Sequence, residues 1–179
     1  MLERWICLKT SLFQEDNNGM KFSIQLTLKS APDLVFNYLK NPSVFTEVSA
    51  PFLTFVPVQP KQFPNRYKSG GCYVVKVCFL RFFVVGQQEI NPVFEETEAG
   101  KIFRDSGKGL SGALSLVSKF EHQMTLTDDP EKNTVLLDEL EFRGGLLTPL
   151  IGIFFFVFWK WRHFKLSRFV VARNGQTGS

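Results

Sequence analysis

The last third of this chain constrains its fold more than any other part. Residues 119–173 read as two alternating strands leading into one long apolar helix. The first strand, about Lys119–Thr127, stops at the turn-forming cluster Thr127-Asp128-Asp129-Pro130, and the second runs from Asn133 to Phe142. After Gly144-Gly145, Thr148 reads as a helix cap and Pro149 as the first helical residue. The helix then continues through Trp159-Lys160-Trp161-Arg162-His163 to about Val170. A chain that closes by laying one oily helix across an antiparallel sheet is built to enclose something apolar.

Upstream, residues 1–19 read as an N-terminal extension ending in Glu15-Asp16-Asn17-Asn18-Gly19, and Met20 is a possible translation start. Phe22, Ile24, Leu26 and Leu28 alternate with polar residues, which predicts a half-buried strand. Ser30-Ala31-Pro32-Asp33 starts a short helix that stops at Asn41-Pro42, and a second short helix is expected over Ser43–Val48. Further strands are expected at Phe52–Val58, Gly71–Val85, Gln87–Thr97 and Lys101–Ser106. A flexible stretch at Gly107, Gly109 and Gly112 then leads into a strand carrying Leu114 and Leu116 as well as Phe120–Leu126. One strand, two helices, about six strands and a long helix make an α+β plan, with the helices on one face of an antiparallel sheet. One domain is expected over residues 20–173, followed by a flexible tail, 174–179.

Twenty phenylalanines against three tyrosines supply bulk without polar handles, so much aromatic surface must be buried or meet something greasy. The net charge of +4 is modest, and much of it sits in Lys160, Arg162, Lys165, Arg168 and Arg173. Cations favour a helix C-terminus and solvate that face; attraction to an anionic membrane is the alternative. No basic and aromatic interleave suggests a nucleic-acid platform. Cys7, Cys72 and Cys78 have no metal-ligand spacing, and Cys72 and Cys78 are too far apart along one strand to bridge. A reducing compartment is therefore expected. Residues 1–18 carry Glu3, Arg4, Lys9, Glu15 and Asp16 without an apolar core, and the run Gly144–Trp159 is about 16 residues, short of a membrane span. The expectation is a cytoplasmic protein, with membrane association through the C-terminal helix left open.

The polar candidates are few. His122 and Asp138 fall on the apolar faces of adjacent strands, where an unpaired charge is costly. A turn centred near residue 130 sets them opposite each other. The pair is either structural, or a contact for a ligand hydroxyl or carbonyl, or a general base. Asp105 joins the same cluster or tops a turn. His163, beside Arg162, is expected at a solvated rim. With two histidines and ill-spaced cysteines, no metal site is expected, and no phosphate loop or cofactor motif is present.

The order of these stretches resembles the START-like SRPBCC superfamily, the helix-grip fold. The opening strand from Phe22 through Ala31-Pro32-Asp33 to Val35 is similar to the family's strand and helix start. Phe103-Arg104-Asp105 with Gly107 and Gly109, Phe120–Leu126 with Thr134 and Asp138, and Trp161–Leu166 resemble its later motifs, in particular those of the ligand-binding branch. The resemblance covers about residues 20–171 and implies a curved sheet of six or seven strands gripping the helix around a deep hydrophobic cavity. It implies binding or carrying of a lipid-, isoprenoid- or polyketide-like ligand. The expected lining is Phe120, His122, Met124, Leu136, Asp138, Leu140, Ile153, Phe154, Val157 and Trp161. A cyclase or dehydratase using His122 and Asp138 is the enzymatic alternative. A peripheral membrane protein or homodimer using the Phe-rich helix is the third.

Overall fold

The protein is described by a computed structural model over residues 9–16 and 19–176. Ten antiparallel strands form two sheets among these residues. The six-stranded sheet is ordered β1 (Lys9–Asp16), β2 (Gly19–Leu28), β10 (Thr134–Arg143), β9 (Lys119–Asp128), β7 (Gly100–Asp105), β6 (Pro92–Thr97). The four-stranded sheet is ordered β3 (Leu53–Gln59), β4 (Tyr73–Phe79), β5 (Phe83–Ile90), β8 (Gly109–Gly112). Helices α1 (Pro32–Leu39) and α2 (Pro42–Ser49) follow β2, and α3 (Thr148–Gln176) closes the fold. The α+β plan holds, with more strands than expected and in two sheets. Part of the N-terminal extension is itself the edge strand β1, and α3 runs past Val170; residues 1–8, 17–18 and 177–179 lie outside the described residues.

Three local expectations are corrected. The single strand over Gly71–Val85 is a hairpin, because Leu80 and Arg81 adopt positive φ (48° and 71°) and turn the chain between β4 and β5. Leu114 and Leu116 lie in a 3-10 turn, not in β9. The glycines after Asp105 are close-approach positions and not flexible punctuation: a Cβ on Gly107 would sit 1.8 Å from the carbonyl oxygen of Glu89. At the head of α3, the Thr148 hydroxyl ties back to the preceding turn, accepting from Gly144 N–H and donating to the Gly145 carbonyl.

Alternation makes β2, β9 and β10 amphipathic, and their inward residues form one surface for α3. Gly152 lets the helix come close: a Cβ there would lie 2.5 Å from Met20 Sδ. One end of the core packs Leu26, Val35, Phe36, Leu136, Leu166 and Val170 together. The other packs Phe22, Phe142, Leu140, Phe158 and Trp159, with edge-on ring contacts from Phe155 to Phe142 and Trp159. The volume expected as a deep cavity beneath the first half of α3 is filled by these rings.

Candidate functional site

Between the two core clusters the sheet and α3 enclose a line of polar groups. The hairpin turn of β9 and β10 is asymmetric, with Asp129 Oδ1 accepting from Glu131 and Asn133 N–H and Lys132 at positive φ. The register therefore sets His122 opposite Leu140 and Asp138 opposite Met124, two residues off the expected pairing of His122 with Asp138. The side chains still meet. His122 Nε2 donates to Asp138 Oδ1 at 2.7 Å, and both residues are buried.

Helix α3 supplies the rest of the line. Trp159 Nε1–H donates to the same Asp138 oxygen at 3.1 Å, and His163 Nε2 lies 3.2 Å from the other. His163 Nδ1 is 2.7 Å from the Trp159 carbonyl, so that nitrogen carries a hydrogen and donates to it. Burial alone would raise the Asp138 carboxyl. The two imidazoles outweigh that through charge and hydrogen bonds and hold it well below the ordinary carboxylate range. His163 is thus a core residue and not a solvated rim position. It sits on the inward stripe that also carries Gly152, Trp159, Leu166 and Val170.

Arg162 is buried too, against the expectation of a solvated cation. Its guanidinium lies over the Trp159 ring, and its Nη2 is 3.7 Å from Met124 Sδ and 3.9 Å from Asp138 Oδ2, beyond hydrogen-bond reach of that carboxylate. It lines a partly enclosed hollow of about 40 Å³ with His122, Met124, Asp105 and Tyr67, roofed by α1 and α2 through Leu39, Val44, Phe45 and Val48. That is room for about one water. The Tyr67 hydroxyl is buried there without a hydrogen-bond partner, and burial, with Asp105 nearby, pushes its phenol up. Asp105 accepts from the Asn91 and Gly107 N–H groups; burial raises its carboxyl in spite of those bonds and of His122.

Of the residues expected to line a cavity, His122 and Met124 face this hollow, and Asp138 stands behind His122. Phe120, Leu136 and Leu140 belong to packed core, Phe120 with its ring against Phe155 and Trp159. Ile153, Phe154 and Val157 are corrected: they point outward, because the stripe through Gly152, Phe155 and Trp159 takes the sheet-facing side. Trp161 is half-buried at another place, donating to the Ala50 carbonyl and packing on Phe52. It lines a surface groove of about 590 Å³ between α2 and α3 with Glu47, Phe164, Lys165 and Arg168. Val48 walls both the groove and the hollow. Sequence reasoning missed Arg162 and Tyr67; helical phase pointed to the first, and nothing local marks the second.

No protein-family model matches the chain, and no curated protein matches it in sequence. Solved structures do match in shape. A protein from Arthrobacter aurescens aligns with TM-score 0.64 at 12% identity, covering 90% of this chain and 91% of that one. Norcoclaurine synthase from Thalictrum flavum, in complex with a transition-state analogue, aligns with TM-score 0.58 at 11% identity, covering 96% and 99%. Ara h 8.0201 aligns with TM-score 0.59 at 14% identity, covering 85% and 97%. At these identities the likeness is one of fold. With its antiparallel sheets packed against a long C-terminal helix, this chain shares the α+β helix-grip fold of these structures.

Proposed function

We propose that the protein binds a small amphipathic molecule whose oxygen-bearing end, a carboxylate or carbonyl, sits in the hollow at Arg162 and Tyr67. The observation that carries this reading is that an orphan phenol hydroxyl and a buried guanidinium, whose nearest polar partner is the Met124 sulfur, line one mostly apolar hollow. Tyr67 has an orphan hydroxyl, and Arg162 has no carboxylate oxygen within hydrogen-bond distance. Buried donors are ordinarily paired, and a guanidinium fork matches a carboxylate in shape and charge. The apolar body has a place to lie in the α2–α3 groove, where Trp161 and Phe164 alternate with Lys165 and Arg168. Val48 on α2 walls both the groove and the hollow, so a shift of that helix is the step that would join them. A fold neighbour that holds a small molecule, norcoclaurine synthase with its analogue, supports the reading in kind.

The test is a titration of delipidated protein with dodecanoate and with dodecanol, followed by tryptophan fluorescence, since Trp159 and Trp161 flank the two spaces. Saturable binding of the acid is expected, weakened about tenfold or more by Arg162→Met and by a smaller factor by Tyr67→Phe. No saturable binding, or equal affinity for acid and alcohol, would sink the proposal. Tyr67→Phe should also leave the unliganded protein as stable as before or more so, because it removes an unsatisfied hydroxyl.

A further inference from the structure

A separate surface, away from the hollow, is apolar and bare. The tip of the β4–β5 hairpin presents Phe82 and Phe83 to solvent at 83% and 66% exposure. The outward stripe of α3 repeats Leu150, Ile153, Val157 and Lys160 at helical spacing, with Leu150 and Ile153 at 67% and 61%, and Leu146 is exposed in the 3-10 turn just before it. The two elements form one face: the Phe79 ring, at the base of the tip, packs edge-on against Phe154 of the helix, with centroids 6.1 Å apart. Soluble monomers rarely carry contiguous apolar patches of such extent without a use for them. By length and composition, the segment Gly145–Asn174 is also apolar enough to cross a membrane, yet its inward stripe is occupied by the sheet.

Charge decides the occupant. The two segments that build the face, Phe79–Val85 and Arg143–Lys160, contain Arg81, Arg143 and Lys160 and no aspartate or glutamate. Arg81 sits beside Phe82 at the hairpin tip, and Lys160 ends the apolar stripe with its ammonium 4.8 Å from the Phe156 ring centre. A second copy docking by the same face across a two-fold axis would set cations against cations. An acidic surface with a greasy interior satisfies both features. We infer that this face docks in the headgroup layer of an anionic lipid bilayer, with Phe82, Phe83, Leu150 and Ile153 entering the acyl boundary and Arg81, Arg143 and Lys160 meeting lipid phosphates. The helix lies along the surface, gripped by the sheet behind it, and does not span.

Vesicle co-sedimentation of the full chain tests this, using phosphatidylcholine alone and phosphatidylcholine mixed with phosphatidylglycerol. Binding is expected to the mixed vesicles, weaker at high salt. It should weaken about tenfold or more in Phe82→Ser/Phe83→Ser and in Leu150→Ser/Ile153→Ser. Arg81→Glu/Lys160→Glu keeps the apolar contacts and should erase the preference for phosphatidylglycerol, roughly fivefold for each cation removed. All six changes lie at exposed positions, and unchanged urea midpoints confirm that the variants fold. Dodecanoate binding in the hollow should survive them, which separates this inference from the ligand proposal. Equal binding to both vesicle types overturns it. So does failure to bind either, indifference to the serine variants, or self-association that those variants abolish.

Discussion

Asp138→Ala is the sharpest test of how this interior is held. The carboxylate is 1% exposed and serves three partners at once: His122 at 2.7 Å, Trp159 Nε1–H at 3.1 Å and His163 at 3.2 Å. Removing it leaves the indole N–H buried without an acceptor, which costs about 1–3 kcal/mol. It also leaves His122 Nε2 without its buried acceptor, at a similar cost of about 1–3 kcal/mol. A total of about 2–6 kcal/mol is expected. Set against a typical domain stability of about 5–15 kcal/mol, the variant should be marginal at room temperature. Urea denaturation followed by tryptophan fluorescence measures the change directly. Asp138→Asn keeps one acceptor and should lose roughly half as much. The sign with pH follows from the depressed carboxyl. Its stabilising contribution is complete above the unfolded carboxyl's value, about pH 4, and drains away as acid protonates the folded state. Wild type should therefore show an acid-side loss that Asp138→Asn lacks. A cost below about 1 kcal/mol for Asp138→Ala, or acid profiles that coincide, would refute the three-partner account.

Other expectations follow from the same geometry. Asp105 has the opposite sign: burial raises its carboxyl, so ionising it near neutrality costs stability. Asp105→Asn, which can keep the bonds from Asn91 and Gly107, should be neutral or stabilising at pH 7 and lose that advantage below about pH 4, as read by urea midpoints. Gly152→Val would drive a side chain into Met20 and Phe142 at the helix–sheet contact and should cost about 1–3 kcal/mol by the same assay.

Alternation and helical phase carried most of the fold. The inward faces of β2, β9 and β10 and the long last helix were legible because one buried side imposes a period on each. The β4–β5 turn was hidden, since Leu80-Arg81-Phe82 contains no glycine, asparagine or proline to announce it. The partnership of His122 and Asp138 was legible, although its register was not. That depended on how Asp129 and Lys132 fold a turn whose centre cannot be found by counting. Arg162 and His163 were misplaced because they stand among Lys160, Lys165 and Arg168, and a crowd of cations looks like a wet surface. Their spacing from Trp159 and Leu166 puts them inside. Tyr67 lies in a loop between strands, and only the tertiary path of that loop brings its hydroxyl to the hollow.

The aspartate on β10 also settles a choice the last helix cannot make alone. Phenylalanines at 154, 155, 156 and 158 give that helix oil on several sides, so apolar contact by itself would tolerate more than one rotation about its axis. Trp159 and His163, one turn apart, reach the carboxylate together in a single orientation. A small twist would leave both groups stranded, so one acid in the sheet acts as the keyway that selects which side of the helix becomes interior and which is left facing outward.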